Sequence, residues 1–388
     1  MRSKLAGHVL ACVVVAATAL GWPTSAAIAA TATPGASLHV DVAHSGNASG
    51  TGFSLPVERA WSRRWHGKVS YPVIGDGKVF VAVSGLFDSP TRKVFALDAT
   101  TGQTVWKVLA TGGYEFYGLA LDGAQLYTLD SGGLLSALDI DTGTLQWSVA
   151  LPDQYSFTSP PTADDGVVYV GGSGSGGTVY AVDGASGDVV WTARVANGDH
   201  SAPTITPYGI VVGYACFQIY ALARRDGALV WHHQTGCSGG GGRTTAYFRD
   251  RVYGRDGNTG VVLHAASGFE AFSFTSSTMP AFRGSTGYIL EGRTLRARDL
   301  GTREARWSFA GDGTLVSAPI VINSRVFVAS ASGNLYVLRA DNGRLRKTFD
   351  LGASFIAPDE HNAVVLTDMN AGAGLLAVPA TDRLVVFR

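Results

Sequence analysis

Residues 181–191 read AVDGASGDVVW, and the same phrase returns as ALDATTGQTVW at 96–106 and ALDIDTGTLQW at 137–147. In each copy a glycine follows four residues after the aspartate, and a tryptophan follows four residues after the glycine. The carboxylate can accept backbone N–H groups of its own turn, and glycine supplies the positive φ that closes the turn. A turn that recurs at a regular distance indicates a repeat architecture.

The repeat extends along most of the chain. When the copies are aligned on their last residue, they end at Trp61, Trp106, Trp147, Trp191, Trp231, Phe272, Trp307, Lys347 and Phe387. The spacings lie between 35 and 45 residues, so eight units of about 41 residues extend from residue 61 to the end of the chain. No stretch of this part remains for a second domain.

Each unit contains the pattern of four short strands. An apolar run such as VVYV at 167–170 follows a proline, a glycine-rich hairpin comes next, and an alternating strand leads into the aspartate–glycine turn. Four antiparallel strands in about 40 residues, repeated eight times, are typical of a β-propeller. The sequence therefore predicts an all-β fold, an eight-bladed β-propeller of four-stranded antiparallel blades over residues 57–388.

Two details of this ring stay open or depart from the repeat. The strand near 57–61 should close the ring against the last blade, either as its fourth strand or as an added fifth, because LVVF at 384–387 also resembles a fourth strand. Arg303 stands where the other turns have glycine, so we expect that turn to be built differently.

The tryptophans at the ends of the phrases are predicted to dock each blade onto its neighbour. A large ring with one N–H group suits a contact between sheets. The alternative is a carbohydrate or metal site, but function rarely requires the same residue once per blade. The predicted docking residues are Trp61, Trp106, Trp147, Trp191, Trp231 and Trp307.

The N-terminus has the features of an export signal. Arg2 and Lys4 precede an apolar run, and AIA at 27–29 offers a cleavage site, so residues 1–29 are predicted to be a signal peptide of a secreted protein. The apolar run is too short to span a bilayer. A lipid anchor at Cys12 is an alternative, although most of the apolar run follows that cysteine. Residues 30–56 are small and polar and are predicted to be a flexible leader.

The recurring phrases resemble the tryptophan-docking motif A-x-D-x-x-T-G-x-x-x-W of the pyrroloquinoline quinone (PQQ) propeller repeats. The copies at 96–106 and 137–147 match it fully, and the copy at 181–191 has serine for threonine. The resemblance implies the propeller fold over residues 57–388. The family includes quinoprotein dehydrogenases, which bind PQQ with calcium. It also includes a non-enzymatic outer-membrane protein assembly lipoprotein that binds proteins.

Departures from the enzymes of this family decide which branch we expect. The alcohol dehydrogenases carry an adjacent cysteine pair at the quinone, and this sequence contains neither that pair nor a C-x-x-C-H haem motif. No catalytic or cofactor-binding residue can be carried over. We therefore expect a PQQ-like fold with no cofactor and no metal, and a small PQQ-dependent dehydrogenase remains the first alternative.

Composition limits the class of partner. The formal net charge is zero, and only 15% of the residues are charged. Nucleic acids and anionic membranes require a basic face, so we expect neither as a partner. We expect the protein to be a monomer, and we expect its partner to be a protein, a peptide or a cell-surface ligand.

Two cysteines remain after removal of the signal peptide. Cys216 lies in the predicted hairpin between the second and third strands of its unit, and Cys237 follows the fourth strand. Meander order places both connections on one face of the ring, so an exported protein is expected to join them in a disulfide. The alternative is two unpaired thiols.

The same face collects aromatic residues from the loops between blades. We predict a ligand or partner face, with a packing role over the entrances between blades as the alternative. The residues predicted for this face are Tyr114, Phe116, Tyr117, Tyr155, Phe157, His200, Arg243 and Phe355.

Few residues support enzymatic chemistry. Glu115 with Asp199 or Asp153 could form the carboxylate pair of a propeller hydrolase, the second alternative, and His200 could act as a base. The adjacent histidines 232 and 233 lack a third metal ligand in the sequence. The sequence favours a secreted, non-catalytic binding or scaffold propeller that works through the aromatic face.

Overall fold

A computed structural model of the chain describes residues 33–85, 92–110, 117–196, 201–236, 242–360 and 365–388. These residues form eight antiparallel sheets, which are the blades of a β-propeller, and the prediction of the fold class is confirmed. The one helical element among them is the 3-10 turn Ala215–Phe217. No helix in the described ranges is long and apolar enough to cross a membrane.

The first four blades follow one another along the chain, and in each blade the first strand is the inner one and the last strand is the outer one. Blade 1 contains β3 (Val73–Gly75), β4 (Lys78–Gly85), β5 (Arg92–Asp98) and β6 (Thr104–Ala110), and β2 (Gly67–Val69) also pairs with β4. Blade 2 contains β7 (Tyr117–Asp122), β8 (Gln125–Asp130), β9 (Leu134–Asp139) and β10 (Leu145–Ala150). Blade 3 contains β11 (Thr162–Asp164), β12 (Val167–Ser173), β13 (Gly177–Asp183) and β14 (Val189–Val195). Blade 4 contains β15 (Thr204–Thr206), β16 (Gly209–Tyr214), β17 (Gln218–Leu222) and β18 (Leu229–His233).

The other four blades complete the ring. Blade 5 contains β19 (Ala246–Phe248), β20 (Arg251–Asp256), β21 (Thr259–His264) and β22 (Glu270–Thr275). Blade 6 contains β23 (Ala281–Arg283), β24 (Thr286–Glu291), β25 (Thr294–Asp299) and β26 (Ala305–Phe309). Blade 7 contains β27 (Ile320–Ile322), β28 (Arg325–Ala329), β29 (Asn334–Arg339) and β30 (Leu345–Asp350). Blade 8 contains β31 (Asn370–Gly372), β32 (Leu375–Ala380), β33 (Arg383–Phe387) and β1 (Arg59–Arg64).

The core lies between neighbouring blades. The second and third strands of a blade are buried along nearly their whole length, as β12 and β13 of blade 3 show. A strand that is buried on both sides needs apolar residues at consecutive positions, which explains runs such as VVYV. The fourth strands alternate between buried and exposed residues because only one of their sides faces a neighbour.

The aspartate–glycine turn has the hydrogen bonds that the repeated phrase predicts. In blade 3, Asp183 Oδ1 accepts the N–H groups of Ala185 at 3.0 Å and Ser186 at 2.8 Å, and Gly187 has a φ of 81°. The turn of blade 6 is built in the same way, because Arg303 adopts a φ of 66° and its N–H donates to Asp299 O at 2.8 Å. The expectation of a different turn at Arg303 is therefore wrong.

Each of the six predicted tryptophans lies against the turn of the next blade. Its indole N–H donates to the carbonyl three residues before the turn glycine, as Trp231 Nε1 does to Ala265 O at 2.8 Å. The ring also covers the glycine itself: a Cβ at Gly268 would lie 2.6 Å from the Trp231 ring. The indole thus joins two blades by packing and by one hydrogen bond. The other pairs are Trp61–Ala99, Trp106–Ile140, Trp147–Gly184, Trp191–Arg224 and Trp307–Ala340.

The ring closes through β1, which is the fourth strand of blade 8. It pairs with β33, and Trp61 lies opposite Val386. Phe387 therefore belongs to a third strand, and its alignment with the docking tryptophans is wrong. In blade 7, Lys347 holds the docking position, and its ammonium group donates to Val57 O at 3.1 Å across the closure.

Candidate functional site

The N-terminal segment, residues 33–48, lies inside the ring along the inner strands. Six of the eight inner strands donate one backbone N–H to a carbonyl of this segment, at distances between 2.7 and 3.0 Å. These inner strands have no other strand on their channel side, so their N–H groups need acceptors. The six bonds are Ile74–Gly35, Leu121–Ala36, Ile205–Val42, Tyr247–Ala43, Phe282–Ser45 and Val321–Gly46.

The prediction that residues 30–56 form a flexible leader is wrong for this segment. The side chains of Leu38, His39, Val40 and His44 are completely buried. The small, polar composition suggested that the segment has too little apolar surface to fold. The inner strands that line the channel supply its packing contacts and its hydrogen-bond partners. The signal in the sequence was the alternation of Leu38, Val40 and Val42 with polar residues.

Asn370 fixes the start of the segment. Its side-chain N–H₂ group donates to Gly35 O at 3.2 Å, Ser37 O at 2.8 Å and Pro72 O at 2.8 Å. The residue opens β31, so one amide connects blade 8, the N-terminal segment and the start of blade 1. The hydrogen bonds of this buried side-chain amide therefore stabilise the fold.

Two buried histidines hold the middle of the segment in the channel. His39 Nδ1 lies 3.2 Å from Asp368 Oδ2, and its Nε2 lies 3.2 Å from Pro280 O. His44 Nδ1 lies 2.7 Å from Leu38 O within the segment, and its Nε2 lies 3.3 Å from Pro203 O, just before β15. Burial lowers the pKa of His44 and raises the pKa of Asp368.

A buried ion pair lies near the loop end of the channel. Arg255 Nη2 and Glu360 Oε2 are 2.7 Å apart, and their side chains are only 1% and 3% exposed. Glu360 Oε1 also accepts the N–H of Thr244 at 2.8 Å. Burial would raise the pKa of Glu360, but Arg255 and Arg243 hold that pKa below its usual value. The pair thus engages the charges of both side chains.

Of the eight residues predicted for the partner face, three are described and are not fully buried. Tyr155 is 73% exposed and its hydroxyl donates to Gly174 O at 2.6 Å, so the ring lies flat on a hairpin tip. Tyr117 and Arg243 are half-buried. Tyr114, Phe116 and His200 lie outside the described residues.

Phe157 and Phe355 are not part of an exposed face, so the prediction that they belong to the partner face is wrong. Phe157 is completely buried, and a Cβ at either Gly133 or Gly172 would lie within 2.5 Å of its ring. The ring therefore fills the space between blades 2 and 3. Phe355 is 2% exposed and packs in the core of blades 7 and 8. Both follow the alternative role, packing over the entrances between blades.

The residues considered for catalysis do not form a site among the described residues. Asp153 is exposed, and its predicted partners Glu115 and Asp199 lie outside the described ranges, so the carboxylate pair stays a prediction. His232 stacks on Tyr220 at 3.9 Å and contacts Gln218 Oε1 at 2.7 Å, and burial lowers its pKa. No cluster of three His, Cys, Asp or Glu residues suited to a metal occurs in the part of the chain that is described.

A cavity of about 450 Å³ opens beside the N-terminal segment at the opposite end of the channel, and sequence reasoning missed it. Its floor includes Ala36 and Leu121, and its rim includes Asp122, Asp164 and Arg224. Arg224 Nη2 and Asp164 Oδ2 are 2.7 Å apart, while burial raises the pKa of Asp164. Thr33, Ala36 and Val42 of the segment form one wall of the cavity, which no repeat pattern could indicate.

A family profile described as outer membrane protein assembly factor BamB matches residues 47–198 and 215–372. The chain belongs to the BamB family. The comparison with curated proteins gave no significant match.

Solved structures share the fold at low sequence identity. BamB from Moraxella catarrhalis is 20% identical with a TM-score of 0.65, over 86% of this chain and 97% of that protein. A quinohemoprotein alcohol dehydrogenase from Comamonas testosteroni is 15% identical with a TM-score of 0.72, over 92% of this chain and 80% of that enzyme. These similarities show the fold and leave the activity to be argued from the residues.

A quinone cofactor does not fit the described part of the channel. A planar group needs a cavity of its own size, and at the level of the inner strands that space holds residues 35–48. Two pairs of ionisable side chains there contact each other, His39–Asp368 and Arg255–Glu360. We therefore derive no chemistry from a quinone.

Proposed function

We propose that this BamB-family propeller is a secreted, non-catalytic scaffold that binds a protein, peptide or cell-surface partner on its loop face. The loop face is the side of the ring that carries the connections between blades and the hairpins between second and third strands. The observation that carries the proposal is the N-terminal segment, because a channel filled by the chain's own residues leaves the outer surfaces for binding.

Tyr155 is the best-placed contact residue on this face. Aromatic rings that are exposed yet held in one orientation give contact area at a low cost in entropy. The hydroxyl of Tyr155 is fixed to Gly174, and its neighbour Gln154 donates to Thr178 Oγ1 at 3.0 Å. The loop is thus ordered before a partner arrives.

Export and the disulfide belong to the same proposal. We propose that Cys216 and Cys237 form a disulfide; Cys237 lies outside the described residues. Such a bond suits a protein that is exported by a signal peptide at residues 1–29. It would fasten two connections on the loop face of blade 4.

The test is capture of the partner by chemical cross-linking in the exporting cell, with quantification by mass spectrometry. We expect Tyr114→Ala/Tyr155→Ala to lower the recovery of specifically cross-linked proteins about tenfold, since aromatic anchors dominate most interfaces. Phe269→Ala is the matched control, because Phe269 is 75% exposed at a turn on the opposite side of the ring. Equal recovery from both variants would refute the loop face. Saturable PQQ and calcium binding with dye-linked oxidation would refute the non-catalytic reading.

A further inference from the structure

The contact between blades 5 and 6 departs from the pattern of the six contacts that a tryptophan makes. Phe272 holds the docking position of blade 5, and it has no N–H group to donate. The equivalent carbonyl is that of Leu300, three residues before Arg303, as Ala265 is three residues before Gly268. Within the described ranges, no side chain donates a hydrogen bond to Leu300 O.

Arg303 explains why an indole is missing here. In the other turns, a Cβ at the glycine would lie between 2.5 and 2.7 Å from the docked indole, so a tryptophan requires glycine opposite to it. Arg303 has that Cβ, and its guanidinium carbon lies 5.3 Å from the centroid of the Phe272 ring. Phe272 and Arg303 therefore replace the tryptophan and glycine of the other contacts as a pair. They fill the space between blades 5 and 6 less completely than an indole and a glycine would.

Two connected openings flank the Phe272–Arg303 contact. One has a volume of about 770 Å³ and the other about 260 Å³, and both contact Tyr253, Phe272 and Leu300. We call them together the blade 5–6 groove. Its walls are aromatic, since Phe248 lines the larger opening and Phe274 the smaller one. Aromatic walls with a backbone acceptor favour a ring that carries an N–H group.

The rim of the larger opening is basic. Arg249, Arg251 and Arg303 line it together with Glu270 and Asp299. Asp299 is already bound to Arg306, whose guanidinium holds the pKa of that carboxyl at about 2. Three guanidinium groups then face one further carboxylate, and the groove is complementary to an acidic ligand.

We propose that the blade 5–6 groove is a second docking site, which binds a tryptophan flanked by acidic residues in a segment of a partner protein. The indole lies between the aromatic walls and donates its N–H to Leu300 O, as the chain's own tryptophans do in the other turns. The flanking carboxylates pair with Arg249 and Arg251 at the rim. This site lies apart from the loop face and does not depend on it.

The test uses fluorescein-labelled tripeptides and fluorescence anisotropy with the full mature chain. The probe is Glu-Trp-Glu with blocked ends, and the comparison probes are Glu-Ala-Glu and Lys-Trp-Lys. We expect saturable binding of Glu-Trp-Glu, at least about tenfold tighter than either comparison probe, and weaker binding in high salt. Failure of the wild-type chain to bind Glu-Trp-Glu more tightly than Glu-Ala-Glu would overturn the proposal.

A double variant separates the groove from other surfaces. Phe272→Trp/Arg303→Gly restores the docking pair of the other blades and fills the groove with the chain's own indole. We expect it to bind Glu-Trp-Glu at least about tenfold more weakly while its Tm stays equal or rises, which shows that the ring is intact. Phe269→Ala, outside the groove, should bind as the wild type does. Unchanged binding by the double variant would show that the peptide binds elsewhere and would refute the site.

Discussion

Replacing Arg255 by methionine should lower the free energy of unfolding by about 3–5 kcal/mol. The substitution leaves the carboxylate of Glu360 buried at 3% exposure without its charged partner. A buried charge that loses its partner costs more than the pair contributed, because it has already given up its hydration. Denaturation in urea, followed by circular dichroism, measures the change.

The double variant Arg255→Met/Glu360→Gln is the matched control. It removes both charges but keeps an acceptor for the N–H of Thr244, which donates to Glu360 Oε1 at 2.8 Å. We expect most of the lost stability to return, since replacing both members of a buried pair is often nearly neutral. A double variant as unstable as the single variant would show that the residues act by shape instead of charge.

Replacing Trp106 by alanine should cost about 3–5 kcal/mol, the usual range for loss of a large buried ring. A Cβ at Gly143 of blade 2 would lie 2.7 Å from the Trp106 ring, and the indole N–H donates to Ile140 O of blade 2 at 3.0 Å. The ring therefore connects blades 1 and 2 by two kinds of contact. Urea denaturation again gives the size of the effect.

Trp106→Phe divides the two contributions. Phenylalanine keeps most of the packing but leaves Ile140 O without its donor, so we expect a loss of about 1–2 kcal/mol. If phenylalanine costs as much as alanine, the hydrogen bond and indole shape would dominate the contact. If alanine costs less than about 1 kcal/mol, the docking role of the tryptophans would be wrong.

The repeat in the sequence was sufficient to predict the ring because its signals are local. The aspartate, glycine and tryptophan of one phrase lie within nine residues of each other, and each copy specifies the same turn and the same contact. Phe387 was misassigned for the same reason, since LVVF at 384–387 resembles a fourth strand when it is judged from its local pattern alone. Only the closure of the ring decides which is the outer strand.

The contents of the channel could not be predicted because they depend on contacts between distant residues. His39 and Asp368 are separated by 329 positions, and Arg255 and Glu360 by 105. No period connects these positions, and the short alternation at Leu38, Val40 and Val42 does not show which surface would cover it. Composition described the segment correctly but could not show that the inner strands would provide its partners.

The partner face was predicted only in part because an aromatic residue in a loop has two possible roles. Phe157 seals the space between two blades, while Tyr155, two residues earlier, is exposed. Residue type alone does not distinguish a ring that packs inward from one that faces solvent. The glycines opposite Phe157 become informative only when the pairing of strands is known.

Hydrogen–deuterium exchange tests the central claim, that the N-terminal segment closes the channel, most directly. The amides of Ile74, Leu121, Ile205, Tyr247, Phe282 and Val321 donate to the segment. We predict that they exchange at least about a hundredfold faster in a chain that begins at residue 49 than in one that begins at residue 33, while amides of β13 keep their rates. Equal exchange at these six amides in both chains would contradict the account.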